Sequence, residues 1–222
     1  MQVIAKLETD FDEKFGIPRQ SGLISDLKGR LVMEPKYRNP DAFRGIEDYD
    51  YLWLLWKSGT EDLKTWSATV KPPRLGGNKK MGVFATRSPF RPNPICMSLV
   101  KLDGFALEEE GPVLYVSGVD MMNQTEIYDI KPYLVYADSR PNAKCGFSDD
   151  VLDYELKVVF PLTLLEVLPE DKRNAAVEIL KQDPRPSYQD DSSRRYGIAF
   201  AGYDIRFHVA DGVLTVCEVV KL

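Results

Sequence analysis

The stretch ICMSLVKLDG, residues 95–104, decides the fold class of this chain of 222 residues. Its apolar side chains run for several positions up to an Asp-Gly pair, and a similar run, PVLYVSGVD at residues 112–120, follows. Runs of this kind bounded by Gly, Pro and Asp predict short strands. Six more share these features, at residues 3–9, 29–35, 51–58, 67–72, 81–86 and 126–136. Many short strands without intervening helices predict a single-sheet antiparallel β-barrel.

The character of the chain changes near residue 140, where the polar, turn-rich stretch SRPNAKCGFSDD at residues 139–150 predicts a linker. Smaller elements follow it: a strand at 154–160, a helical stretch that Pro169 ends, a helix at 170–182 with Ala176, Ile179 and Leu180 inward, and strands at 196–210 and 212–220 joined by an Asp-Gly turn. We therefore predict a mainly β protein with a β-barrel domain over residues 1–142 and a small C-terminal α+β domain over residues 151–222.

Composition excludes several classes of protein. A hydrophobic content of 44% and a charged content of 28% are ordinary for a soluble globular chain, and no apolar run approaches the length of a membrane span. We therefore expect a cytoplasmic protein without a membrane partner. The three cysteines are widely separated, which predicts buried free thiols and no metal site. The single histidine, His208, excludes Ser-His-Asp relays and multi-histidine metal sites, and is interpreted as an ordinary strand residue.

Charge is distributed unevenly along the chain. The net charge is −5, yet residues 63–102 contain no Asp or Glu and eight Lys or Arg. We call residues 63–102 the acid-free segment. It can concentrate a positive potential on one face and so attract nucleic acid. A solvated basic edge without a partner would have the same composition.

A proline-rich loop lies within the acid-free segment, in the sequence RSPFRPNP at residues 87–94. Each proline fixes its own φ and drives the preceding residue into an extended conformation. The preceding residues are Ser88, Arg91 and Asn93, so three polar side chains are held with little freedom left to lose on binding. This pattern predicts a preorganised site. Prolines that simply end a barrel strand at its rim are the alternative.

A second polar cluster begins at residues 123–126, NQTE, and continues into DIKPYLVYAD at residues 129–138. Alternation along an extended chain puts Asp129, Lys131 and Tyr133 on one face. These side chains are candidates for a site, although an ordinary strand carrying an ion pair would have the same pattern.

Five segments carry a resemblance to a known family. They are KFGIPRQSG at 14–22, KPPRLGGNKKMGV at 71–83, FATRSPFRPNPI at 84–95, DIKPYLVYAD at 129–138 and QDPRPSY at 182–188. Together they resemble the TrmO family, also called TsaA-like or YaeB-like proteins, in order along almost the whole chain.

The resemblance implies an S-adenosylmethionine-dependent tRNA methyltransferase built on a β-barrel. It implies that the methyl group goes to the exocyclic nitrogen of threonylcarbamoyl-adenosine beside the anticodon of threonine tRNA. It also implies a homodimer with the cofactor near the subunit interface. The chain has no glycine-rich dinucleotide fingerprint after a strand, which agrees with a methyltransferase that is not of the Rossmann type.

The resemblance further implies a set of cofactor contacts: Gln20, Ser21, Gly22, Arg87, Met97, Asn123, Gln124, Thr125 and Glu126. This chain departs from the family pattern at three places. Cys96 stands where family members commonly have glycine, residues 123–126 replace a common DGTP, and a histidine usual near residues 58–60 is missing. These departures fall at the expected cofactor pocket.

The chemistry of methyl transfer suggests roles for other residues. The accepting nitrogen needs to lose a proton, and we expect Asp129 to act as the base with Tyr133 orienting the reacting groups. The residues expected to bind the RNA are Lys71, Arg74, Lys79, Lys80, Arg91, Asn93, Arg185 and Tyr188. Two alternatives stay open: a non-catalytic regulatory barrel that binds S-adenosylmethionine or RNA, and a methyltransferase acting on a different molecule.

Overall fold

The computed structural model describes residues 1–58, 66–72, 79–147, 155–185, 191 and 193–222. In these residues, six antiparallel strands close into a barrel in the order β1-β2-β7-β6-β3-β8, and β4 and β5 form a separate two-stranded ribbon. The bounds are β1 Ala5–Thr9, β2 Lys28–Met33, β3 Tyr51–Lys57, β4 Thr69–Val70, β5 Met81–Gly82, β6 Ile95–Glu108, β7 Gly111–Ser117 and β8 Thr125–Pro132.

Alternation along the strands determines what lies inside the barrel. Leu52 and Leu54 of β3 have no exposed surface, while Leu55, the next residue of the same strand, is only partly buried. Leu54 pairs with Ser98 of β6, which is 1% exposed, so this row faces the interior. The next row, which contains Leu55, therefore faces outward.

The rest of the chain forms a small α+β unit. Its sheet has the order β10-β11-β12-β9, with β9 parallel to β12. The bounds are β9 Lys157–Val159, β10 Tyr196–Phe200, β11 Tyr203–Ala210, β12 Val213–Lys221, α1 Val135–Asp138 (which precedes the unit), α2 Leu162–Leu165 and α3 Glu170–Lys181. The predicted fold class, a mainly β barrel with a small α+β part, is confirmed.

One connection packs against both parts of the molecule. Residues 10–27 link β1 to β2 and lie between the barrel and the C-terminal sheet. The Phe11 ring lies 5.3 Å from that of Phe200, and the Ala201 N–H donates to the Asp10 carbonyl at 2.9 Å. Lys172 of α3 also contacts the Asp10 carboxylate at 2.6 Å. The two units therefore share a core through this connection.

Three predicted strands were wrong in extent. The strand expected at residues 126–136 ends at Pro132 and is followed by the short helix α1, Val135–Asp138. The strand expected at residues 81–86 ends at Gly82, because a 3-10 turn at Val83–Ala85 follows. The strand expected at residues 196–210 is a hairpin that turns at Ala201 and Gly202, whose φ values are 52° and 80°. Both φ values are typical of a tight turn between two strands, and Ala201 conceals it because alanine seldom occupies this conformation.

Other expectations about single residues had mixed outcomes. The helix predicted at 170–182 is α3, with Ala176, Ile179 and Leu180 buried as expected. His208 lies in β11 opposite Thr215, as an ordinary strand residue. The cysteines are free, but their predicted burial was wrong: Cys96 is partly buried, and Cys145 and Cys217 are exposed, since one lies in the linker and the other on the outer face of a strand. Among the described residues, no helix is long and apolar enough to span a bilayer.

Candidate functional site

The place where β6 and β7 separate brings together side chains that are far apart in sequence, because loops fill this opening between the two strands. β6 pairs with β7 only from Lys101, so residues 95–100 of β6 have β3 on one side and, within the described part of the chain, no strand on the other. The Leu99 N–H donates instead to Ser21 Oγ at 2.9 Å. The Gly22 N–H donates to the Gly118 carbonyl at 2.8 Å, which fixes the same loop at the end of β7. We call this opening the β6–β7 seam.

A largely buried carboxylate lies in the seam. Asp120 Oδ1 accepts a hydrogen bond from Ser98 Oγ at 2.6 Å, and Ser98 Oγ accepts one from Trp56 Nε1 at 3.0 Å. The backbone N–H of Ser21 also donates to Asp120. Burial raises the pKa of Asp120 from 3.8 to about 6, although these hydrogen bonds and the charge of Arg87 oppose the rise. Asp120 is therefore a carboxylate that changes charge close to physiological pH.

Arg87 and Gln20 lie beside this carboxylate. Arg87 Nη1 donates to Gln20 Oε1 at 2.6 Å, and Gln20 Nε2 donates to the Arg19 carbonyl at 2.6 Å. Arg87 is exposed, so its guanidinium can bind a ligand while Gln20 holds its orientation. Gln20, Ser21, Gly22 and Arg87, all expected to contact the cofactor, thus lie around the seam.

Met97, another expected cofactor contact, lies on the part of β6 that borders the seam. Its side chain is 47% exposed and shares the outward-facing row of Leu55 and Asp129. Because Met97 precedes Leu99 by two residues, its main-chain N–H points to the seam like that of Leu99. Met97 is therefore adjacent to both the seam and the outer face of the barrel.

Residues 123–126 form the turn into β8 and contact the end of β1. The Asn123 N–H donates to the Phe11 carbonyl at 2.7 Å, and the Gln124 N–H donates to the Leu7 carbonyl at 2.7 Å, with Gln124 at a φ of 63°. Thr125 Oγ1 donates to the Met122 carbonyl at 2.7 Å. Glu126 Oε2 accepts from the Tyr128 hydroxyl at 2.8 Å. These contacts define the turn, and the roles of its residues at the cofactor stay predictions.

The two residues expected to act in catalysis lie on the outer face of β8 and just beyond its end. Asp129 pairs with Lys131 at 2.8 Å, which is the ion pair that an ordinary strand would also show. Tyr133 packs its ring against those of Tyr51 and Trp53, with centroids 6.2 Å apart in each case. Asp129 thus faces away from the interior row that contains Ser98, and its catalytic role stays a prediction.

A shallow cavity lies beside this face. It has a volume of about 230 Å³ and is lined by Met1, Lys57, Asn93, Pro94, Ile95 and Tyr128. Asn93, one of the residues expected to bind substrate, therefore lines the same cavity as Tyr128, which precedes Asp129 in the sequence.

Arg91 holds the proline-rich loop together. Its guanidinium donates to the carbonyls of Val83 at 3.0 Å and Thr86 at 2.6 Å, and Nε donates to that of Ser88 at 3.0 Å. The rigidity predicted for this loop therefore has a second cause beside the prolines. A fork of donors in one plane is needed for these contacts, and a lysine cannot supply it.

We expect Arg91→Lys to impair the tRNA methylation that the resemblance implies about as much as Arg91→Ala, by roughly 10- to 100-fold in kcat/KM, because either change releases the loop that carries Arg87. Steady-state kinetics of the two variants with tRNA measure this. Arg91 would instead be a phosphate contact if Arg91→Lys were fully active and Arg91→Ala alone lost activity, with tRNA binding that depends less on salt concentration.

The other residues expected to bind RNA are distributed over the two units. Lys71, Lys79 and Lys80 are exposed around the β4–β5 ribbon. The Arg185 side chain is 10% exposed and contacts the Asp183 carboxylate through Nε at 2.8 Å and Nη2 at 3.0 Å. Arg74 and Tyr188 lie outside the described residues, as does part of the predicted linker. The RNA contacts of all these residues stay predictions.

Sequence reasoning missed three polar groups of the seam: Trp56 Nε1, Ser98 and Asp120. Asp120 follows Gly118-Val119 at the end of a strand, where an acid is usually interpreted as part of a turn. The available signal was Ser98, a polar residue in the interior row of β6, since a buried hydroxyl needs a partner.

Comparison with known proteins connects this geometry to a family. The model described as the tRNA-methyltransferase O N-terminal domain matches residues 6–139, and the one described as the TrmO C-terminal domain matches residues 155–222. The chain is similar to the tRNA (adenine(37)-N6)-methyltransferase of Escherichia coli strain K12, with 37% identity over 94% of this chain and 92% of that protein.

A second relative and a solved structure are also similar to this chain. A probable S-adenosyl-L-methionine-binding protein of Pyrococcus abyssi is 30% identical over 73% of this chain and 90% of its own length. The crystal structure of TrmO from Pseudomonas aeruginosa superposes with a TM-score of 0.77 at 29% identity, covering 99% of this chain and 98% of that one.

Proposed function

Because the chain belongs to the tRNA-methyltransferase O family, we propose that it methylates the exocyclic nitrogen of threonylcarbamoyl-adenosine beside the anticodon of threonine tRNA. The broader activity follows from the family: the chain is an S-adenosylmethionine-dependent tRNA adenine N6-methyltransferase. The observation that supports a catalytic role most directly is the Asp120 carboxylate in the β6–β7 seam, with Arg87 and Gln20 beside it.

The groups around the seam fit S-adenosylmethionine. The exposed Arg87 guanidinium suits a carboxylate, the Asp120 carboxylate suits a positively charged sulfonium, and the Met97 thioether offers an apolar contact. When bound, S-adenosylmethionine supplies an electrophilic methyl group. Gln20, Ser21 and Gly22 would hold it together with Arg87, which contacts Gln20.

The reaction requires a base near the acceptor nitrogen, since that nitrogen lies between a purine ring and a carbonyl and is a poor nucleophile while protonated. A positioned base contributes on the order of 10² to 10⁴ in rate, most effectively when its pKa lies near the working pH. Asp120, with a pKa of about 6, meets that condition. Asp129 remains the second candidate, with Tyr133 as its orienting hydroxyl, although its carboxylate is already paired with Lys131.

The phosphates of the RNA are contacted by the acid-free segment in this proposal. Lys71, Lys79 and Lys80 are exposed there, and Arg74, Arg91 and Asn93 belong to the same stretch of chain. Arg185 and Tyr188 would contribute from the C-terminal unit. We further propose a cytoplasmic homodimer, which the 45% exposure of Ile95 and the 47% exposure of Met97 on the outer face of β6 support.

Incubation with S-adenosylmethionine carrying a labelled methyl group tests the substrate. We expect label in threonine tRNA that bears the threonylcarbamoyl group and none in the same tRNA without it, because the carbonyl of that group makes the nitrogen proton acidic enough for a carboxylate to remove. Digestion and chromatography identify the labelled nucleoside. Equal labelling of both tRNAs would contradict the proposed substrate and leave the broader activity intact.

A further inference from the structure

Two aromatic rings lie exposed and side by side at one end of the β4–β5 ribbon, since Trp66 precedes β4 and Phe84 follows β5. The Trp66 side chain is 50% exposed and that of Phe84 is 75% exposed. Their ring centroids are 6.0 Å apart, with the planes inclined by 34°. We call this pair the aromatic platform. A contiguous exposed apolar patch commonly marks a site where a partner binds.

The platform is held in place by the backbone beneath it. β4 pairs with β5, and the Val83 N–H donates to the Ala68 carbonyl at 2.9 Å. This hydrogen bond joins the residue before Phe84 to a residue two positions after Trp66. Arg91 donates to the carbonyls of Val83 and Thr86, which precede and follow Phe84 in the sequence. The rings are thus presented by a fixed scaffold, so a ligand that covers them orders little additional chain.

The charge around the platform restricts what can cover it. Trp66 and Phe84 both belong to the acid-free segment, and Lys71, Lys79 and Lys80 are exposed at the other end of the same two-residue ribbon. A second copy that covered this patch symmetrically would bring the same lysines against these ones, which is unfavourable. A ligand that combines planar rings with negative charge matches both features, and single-stranded RNA is such a ligand.

We propose that Trp66 and Phe84 stack on an unpaired base of the tRNA anticodon loop while the neighbouring lysines contact its phosphates. The inference rests on the proposed function, since it concerns the same RNA. Phe84 precedes Arg87 by three residues, a span of at most about 11 Å, so the platform is close to the seam. The base that it binds is therefore a neighbour of the methylated adenosine.

Replacement of both rings by leucine tests the proposal, because Trp66→Leu with Phe84→Leu keeps apolar surface and removes the aromatic faces. We expect the variant to bind a single-stranded RNA of about seven nucleotides roughly 5- to 100-fold more weakly, since stacking on one base contributes about 1 to 3 kcal/mol. Binding of an RNA duplex of equal charge should not change. Fluorescence anisotropy of labelled RNA measures both, and the KM for tRNA should rise in parallel.

Tyr136→Leu is the matched control, because this ring is 81% exposed and lies outside the acid-free segment; it should leave RNA binding unchanged. Equal weakening for single strand and duplex, or no weakening, would overturn the proposal. So would a change in sedimentation showing that the platform is covered by a second copy. If the wild type binds the short RNA through the platform but labels no tRNA, the proposed function fails while the stacking surface stands.

Discussion

Asp120→Asn should lower kcat for methyl transfer by about 10² to 10⁴ and at the same time stabilise the fold above neutral pH. The loss follows from removal of the base, since an amide accepts no proton in this range. The gain follows from burial, because the folded protein keeps a carboxylate in surroundings that raise its pKa to about 6. An ordinary structural residue would show loss of stability together with loss of activity.

The sign of the stability effect follows from the direction of the pKa shift. A pKa that is higher in the folded than in the unfolded chain stabilises the protein below about pH 4 and loses that contribution as the pH rises through about 6. The neutral Asn side chain carries no such pH dependence. We therefore expect the free energy of unfolding of the variant to exceed that of the wild type by on the order of 3 kcal/mol at about pH 8, and the excess to vanish near pH 4.

Urea unfolding at several pH values measures the stability, and the pH profile of wild-type kcat/KM should fall below an apparent pKa near 6. Asp129→Asn tests the second candidate base, whose carboxylate is exposed and paired with Lys131. If Asp129→Asn abolished transfer while Asp120→Asn kept it, the base would be Asp129. Loss of both activity and stability in Asp120→Asn would make Asp120 a structural residue.

The parts of the fold that could be predicted from sequence are those where one face is buried. Leu52 and Leu54 alternate with outward residues in β3, and Ala176 and Ile179 share one face of α3, so a local pattern was enough. The hairpin at Ala201 was missed because the turn lacks the Asn or Asp that usually reveals it. Local signals of this kind fail where the backbone conformation is set by strand pairing rather than by the residue itself.

The site was predictable only in part, for a different reason. Gln20, Ser21 and Arg87 came from a resemblance, and the structure brings them together. Asp120 joins them only because β7 leaves β6 at Lys101 and the loop after β7 fills the gap. The point at which two strands separate depends on the register of the whole barrel, so no pattern within a single segment could reveal it.

Phe11→Ala should reduce the free energy of unfolding by about 3 to 5 kcal/mol, and should also weaken S-adenosylmethionine binding although the ring lies outside the seam. Phe11 is 1% exposed and packs on Phe200, so its removal leaves a cavity between the barrel and the C-terminal sheet. The connection at residues 10–27, which Phe11 anchors, also carries Gln20 and Ser21. The C-terminal unit thus supports the cofactor loop from behind.

Phe43→Ala is the matched control, because Phe43 is 8% exposed and stacks on Phe105 at 5.5 Å in the barrel, away from that connection. We expect a comparable loss of stability from it and no change in cofactor affinity, measured by urea unfolding and titration calorimetry. A double-mutant cycle between Phe11 and Phe200 should give a coupling of about 0.5 to 1.5 kcal/mol. If Phe11→Ala and Phe43→Ala changed cofactor affinity equally, the effect would come from general destabilisation, and the C-terminal unit would have no specific part in holding the loop.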